Sequence, residues 1–158
     1  MTNNRRANNY WTPADHSVVS AAQSFSELLP TALTIIRRMP QPVAMVSGPM
    51  STGGAGSLEK NVSRFAAAIH NLNEAGITTF DQLPFQKSMI RLLQQHHHAT
   101  SYYMPLLEDF YLPVFQSGLI ARVYFLPDWH TSFGARWEHD QCEKLGIPQI
   151  PFPDALLP

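Results

Sequence analysis

The stretch FLPDWHTSFGARWEHDQCEKLG, residues 125–146, decides how this chain reads as a fold. It leaves an apolar segment, crosses a polar turn and enters a helical pattern. On that helix Ala135, Glu138, Cys142 and Leu145 recur at the spacing of one buried face. Ser132 stands where a cap is needed, and Gly146 closes the pattern. A lone helical glutamate normally points to water. Here its phase points it at the chain's own core, and that needs a reason.

Working outward, VAMVS (43–47) is a second short apolar segment, followed by the glycine-rich GPMSTGGAGS and a helix predicted over 58–74. Gly76 ends that helix, and ITTF (77–80) reads as another strand. Helices are predicted over 84–98 and 103–117, then a strand LIARVYFLP (119–127), the helix of the opening stretch and a last short strand in PQIPF. Upstream, 15–38 reads as one helix kinked or split at Pro30. Short, nearly continuous apolar strands alternating with helices predict a parallel sheet covered on both faces. Ligands in such folds sit at the carboxyl ends of strands. The glycine-rich loop and the DWHTS turn (128–132) both lie there, so they are expected to share one cleft.

Bulk composition narrows the function classes. The chain has 158 residues, 44% hydrophobic and 15% charged, with a formal net charge of −1, which suits one domain with a sizeable core. Eleven Lys and Arg are scattered among twelve acids, so no nucleic-acid surface is expected. A single cysteine, Cys142, excludes an intramolecular disulfide and a cysteine-based zinc cluster, and reads as a small buried hydrophobe. No apolar run approaches the roughly 20 residues that span a bilayer, and MTNNRRANNYW lacks a signal-type apolar segment. No membrane partner and a cytoplasmic location are the expectations. HHH at 96–98 occupies adjacent helical positions about 100° apart, which cannot ligate one metal together. Neither a metal nor another cofactor is expected.

Two segments carry candidate chemistry. SGPMSTGGAGSLEKN (47–61) leads from a strand into a helix, where exposed amides and a helix N-terminus suit an anion. It matches neither the Walker motif nor the dinucleotide fingerprint. It reads equally as a plain connector or as a phosphate or sugar contact through Gly53, Gly54 and Ser57. In the opening stretch, Gly134 costs roughly 1 kcal/mol against alanine inside a helix, which close approach of a ligand would offset. Ser132 either caps the helix or binds an anion there. Trp129 either stacks on a ligand or anchors the helix, and His130 either touches the ligand or is simply exposed.

VSGPM (46–50), Asn61 and Phe65 in the next helix, and LPDWHTSFGARWEHDQCEKLGIP (126–148) together resemble the nucleoside 2-deoxyribosyltransferase-like superfamily. The superfamily includes nucleoside deoxyribosyltransferases and nucleoside 5′-monophosphate N-glycosidases. The resemblance spans 43–151, and S-x-G-A-x-x-E is its most specific part. It implies a flavodoxin-like or Rossmann-like α/β domain over 43–158, with residues 1–42 as a polar segment and helical extension. It implies Glu138 as a nucleophile forming a covalent glycosyl intermediate, resolved by water or by a second base. Ser132 matches the position that helps hold a 5′-phosphate, which favours a (deoxy)nucleoside 5′-monophosphate as the small-molecule partner. Ser47, Gly48 and Pro49 would shape the sugar and base pocket, with Met50 and Asn61 from the same motifs beside them. Asp81 and Asp128 are candidate acids. Subunits in this superfamily commonly complete each other's pockets, so a homodimer or higher oligomer is expected. Two alternatives stay open: a nucleotide-binding module with the same cleft and no turnover, and an interaction protein with a vestigial pocket.

Overall fold

A computed structural model describes residues 10–50, 54–96 and 102–158. Among the described residues there are six α-helices and a three-stranded parallel sheet. In chain order they are α1 Pro13–Ala21, α2 Phe25–Arg38, β1 Val43–Ser47, α3 Leu58–Glu74, α4 Gln86–His96, α5 Leu112–Gln116, β2 Ile120–Phe125, α6 Phe133–Leu145 and β3 Gln149–Pro151. None of these helices is long and apolar enough to cross a membrane.

The sheet runs β1-β2-β3, all parallel, with Ser47 opposite Phe125 and Phe125 opposite Pro151. The segment 77–80 lies along the other side of β1, but only as a single bridge between Ala44 and Thr79. The Ala44 N–H donates to Thr78 O and the Phe80 N–H to Ala44 O, both at 2.8 Å. The predicted strand stops there for two reasons. The outward Thr79 N–H is taken by the Asn73 side chain at 3.0 Å, and Asp81 accepts from the Leu83 N–H at 2.9 Å, turning the chain away. The chain therefore leaves β1 in one direction first and in the other later. The gap between the carboxyl ends of β1 and β2 is a topological switch point.

Both sheet faces are covered, as the apolar runs predict. Ala44, Val46, Tyr124 and Leu126 pack on Phe65, Ala68, Ile69 and Leu72 of α3. Val43, Met45, Val123 and Phe125 face the other way, into a larger core shared with α1, α2, α4, α5 and Cys142 of α6. The N-terminal helices belong to that core, since Leu28, Ala32 and Ile36 are fully buried in it.

Two predicted helices need correction. Residues 15–38 form two helices, and the break falls at 22–24, not at Pro30. Each helix has its own start: Thr12 and Asp15 form a capping box for α1, and Ser24 caps α2. Pro30 sits inside α2 on the exposed side, where water can serve the carbonyl its missing N–H leaves behind. The helix predicted over 103–117 contains a wide π-type stretch, Leu107–Tyr111, before α5. Leu112 N–H there reaches back five residues to Leu107 O. Pro113 follows at once, and a widened turn relieves its clash with the preceding one.

Placing the break at Ser24 separates two substitutions. Ser24→Ala should cost about 1 kcal/mol. Pro30→Ala should add about 1–3 kcal/mol of stability, because a continuous helix regains a hydrogen bond there. Urea midpoints at unchanged slope would show both; a loss on Pro30→Ala would mean that the proline, and not Ser24, organises this region.

Candidate functional site at the switch point

Helix α6 starts on the Ser132 hydroxyl, which accepts the Ala135 N–H at 3.3 Å. It ends at Gly146 in the left-handed conformation, with Ile147 N–H bonded to Cys142 O at 2.9 Å. Its buried residues are Ala135, Glu138 and Cys142. The fourth member of the predicted stripe, Leu145, is 41% exposed, because the helix passes the sheet by then and Ile147 takes the apolar place.

Glu138 is 8% exposed and lies at the wall of a cavity of about 110 Å³ beside the ends of β1 and β2. Ser47, the last residue of β1 and 1% exposed, donates its hydroxyl hydrogen to Glu138 Oε2. Burial pushes the Glu138 carboxyl up to about 7, and the Ser47 hydrogen bond works against that rise. Nearby groups feel the same carboxylate. Burial, reinforced by Glu138, lifts the Tyr102 hydroxyl and the Cys142 thiol each to about 12. Tyr111 is pushed well above its ordinary value by burial, then by Glu138 and Tyr102. Among the described residues lining the cavity there is no lysine, arginine or histidine. Glu138 is therefore the group there that changes charge near neutrality, and it has no counter-ion in the lining.

Six sequence-predicted positions meet at this cavity: Gly48, Met50, Ser132, Gly134 and Glu138 line it, and Ser47 holds Glu138 from behind. Gly48 is needed for packing, since a Cβ there would lie 2.7 Å from Leu126 Cδ1. A Cβ on Gly134 would come within 3.1 Å of the Tyr102 hydroxyl. The space left by Gly134 thus admits a residue of the protein itself as well as the cavity. Ser132 does cap its helix.

Other candidates do different work. Gly54, at φ +64°, donates its N–H to Thr131 Oγ1 at 3.0 Å, and Ala55 donates to Asn61 Oδ1 at 2.8 Å. Asn61 also donates to Met50 O at 3.0 Å. These two loop amides are consumed inside the protein, so Gly54 and Asn61 shape the rim and are not lining residues. Pro49 is buried against Gly54, and the exposed Ser57 caps α3 by accepting the Lys60 N–H at 3.2 Å. Gly53 and two of the three histidines at 96–98 lie outside the described residues. Asp128 forms a two-pronged ion pair with Arg64, 2.8 Å on each arm, and is off the cavity. Asp81 is off it too, its carboxyl raised by burial against the Leu83 N–H bond. Trp129 stacks on His139 at 4.2 Å and lines a separate cavity with Phe152 and Pro151, while His130 is exposed.

Sequence reasoning missed Gln82, Tyr102 and Tyr111, all of which line the cavity. The sequence signal was weak for each. Tyr102 reaches α6 by stacking on Phe133 at 4.6 Å, and Tyr111 is aimed by the π-type stretch. Both depend on distant packing. Gln82 follows Asp81 directly, but only the turn at Leu83 reveals which of the two points inward.

Holding Glu138 ionised inside the fold costs about 3 kcal/mol relative to an unfolded carboxyl. Because the folded value is raised above the ordinary 4.5 to about 7, the native state binds the extra proton. Stability is then fully present below about 4.5 and falls as pH rises through 7. Glu138→Gln keeps an acceptor for Ser47 and should flatten that slope, raising the melting temperature most at pH 8. Melting curves from pH 5 to 8 that run parallel for both proteins would contradict a buried, raised carboxyl.

Comparison with protein-family models, with curated proteins and with solved structures yields no match.

Proposed function

We propose that the protein cleaves or exchanges the N-glycosidic bond of (deoxy)nucleoside 5′-monophosphates, with Glu138 as the nucleophile. The observation that carries the reading is a carboxylate buried at a cavity wall, oriented by Ser47 and without a cation among the described lining residues. An unpaired buried charge is expensive, and an acid poised near 7 suits covalent catalysis at neutral pH. In this reading Glu138 attacks the anomeric carbon and the bond to the base breaks, the electron pair leaving with the base. The base takes up a proton from solvent water, and water or a second base then attacks the anomeric carbon of the enzyme ester, releasing the sugar and regenerating the Glu138 carboxylate. The chain order of the strands supports a flavodoxin-like or Rossmann-like arrangement as part of the same reading. The starts of α3 and α6 both reach the cavity, at Leu58 and at Ser132, Gly134 and Ala135. Helix N-termini attract anions, which supports a 5′-phosphate there. A homo-oligomer belongs to the proposal by the resemblance alone.

A second reading, a nucleotide-binding module without turnover, is favoured by one observation. Neither Asp81 nor Asp128 lines the cavity, so among the described lining residues no carboxylic acid besides Glu138 is at hand for the leaving base.

A panel of ribo- and deoxyribonucleoside 5′-monophosphates, with and without a free acceptor base, separates the readings by chromatography. Base release that Glu138→Gln lowers by at least about 10³-fold establishes the enzyme. Acceptor dependence makes it a transferase. Monophosphate binding with no base release moves the assignment to the module.

The acid of the nucleophile also sets a pH profile. Only ionised Glu138 attacks, so kcat/KM should rise about tenfold per pH unit below 7 and level off above it. A profile flat from pH 5 to 8 would remove Glu138 from the chemical step.

A further inference from the structure

Gln82 is 4% exposed and lines the cavity. Its Nε2 donates to Val46 O at 3.1 Å, which fixes the amide plane. That leaves Oε1 as the other end of the amide, buried and without a hydrogen-bond partner among the described residues. Buried acceptors are nearly always satisfied, and an unsatisfied one is costly. Val46 and Ser47 are consecutive, so β1 holds Gln82 with one residue and Glu138 with the next.

The rest of the wall decides what kind of group meets this oxygen. Met89, Ile90, Leu93 and Leu107 make much of it apolar. Cavities of about 150 Å³ accept a benzene ring, so this one, at about 110 Å³, holds no more than one ring. A flat heterocycle fits an apolar slot better than a hydroxyl-covered sugar does.

We propose that Gln82 reads the base: its Oε1 accepts a hydrogen bond from an N–H on the edge of a single heterocyclic ring that occupies the apolar slot. The identity of the ligand as a nucleotide rests on the function proposed above; the fixed, unpaired acceptor does not. Gln82 selects for bases that present an N–H at that depth and against isosteres that carry C–H in its place.

The test is binding, measured by titration calorimetry in Glu138→Gln protein so that nothing turns over. Three pairs are compared: cytidine monophosphate and its analogue lacking the amino group, adenosine monophosphate and purine riboside monophosphate, and uridine and 3-deazauridine monophosphates. Free cytosine, adenine and uracil are titrated in parallel. At least one pair should differ about tenfold or more in favour of the N–H ligand. Gln82→Met and Gln82→Leu, which both remove the acceptor, should each bring that ratio to within about twofold. Either variant covers the case in which the other fails to fold, as read from its melting curve. Free bases that bind with the same dependence on Gln82, while no nucleotide binds, would sustain the role of Gln82 and overturn the nucleotide reading. Equal affinities within every pair, a preference unchanged by Gln82→Met, or no binding at all would overturn the inference.

Discussion

One hydrogen bond organises the site: the Ser47 hydroxyl donating to the Glu138 carboxylate. It ties the last residue of β1 to the middle of α6, two elements far apart in sequence. It also opposes the effect of burial on Glu138, keeping the carboxyl near 7 where desolvation alone would carry it higher. Among the described residues lining the cavity, none gives that carboxylate a counter-ion. Cys142 and Tyr111 are kept neutral by burial and by the same charge. A fold selected for stability alone would place an apolar side chain at this position. A carboxylate held there at a cost of about 3 kcal/mol is the kind of local conflict expected at a functional site.

The rim is held with comparable economy of parts. Thr131 donates to Asp128 O at 2.7 Å and accepts from Gly54, joining the turn after β2 to the loop after β1. Arg64 of α3 grips Asp128 from the other side. Asn61 stitches Ala55 to Met50 within the glycine-rich loop. Residues that look like ligand-binding groups in the sequence are thus used to fix the loops that frame the cavity. Preorganisation of this sort is what the proposed nucleophilic role of Glu138 requires, since misplacing a reacting atom by 1 Å can cost about 10²-fold.

What was legible in the sequence follows from how local each signal is. The strand Val43–Ser47, the helix Leu58–Glu74 and the inward phase of Glu138 are written in short-range periodicity and in the capping residues Ser57, Ser132 and Gly146. The break between α1 and α2 was misread because Pro30 is the louder signal and Ser24 the stronger one. ITTF has strand composition, yet the side chains of Asn73 and Asp81 end its pairing after one bridge. Gly134 invited the inference of ligand contact, while part of its space faces Tyr102, whose approach depends on tertiary packing. Charge complementarity over distance was invisible as well: Asp128 is a plausible acid until Arg64 is placed against it.

The π-type stretch shows how a constraint of sequence becomes a wall of the site. Pro113 cannot donate, and in a regular helix its ring would press on the carbonyl four residues back. Widening the turn so that Leu112 bonds to Leu107 O avoids the clash and shifts the phase of the residues before it. Leu107 and Tyr111, at the two ends of the widened stretch, both line the cavity, while Phe110 between them is fully buried in the core. The same distortion therefore seals the core and closes the cavity opposite the sheet. Its apolar contribution and the polar pair held by Val46 and Ser47 give the cavity two unlike sides. A ligand that fits must match both, meeting apolar side chains on one side and the polar groups of Gln82 and Glu138 on the other.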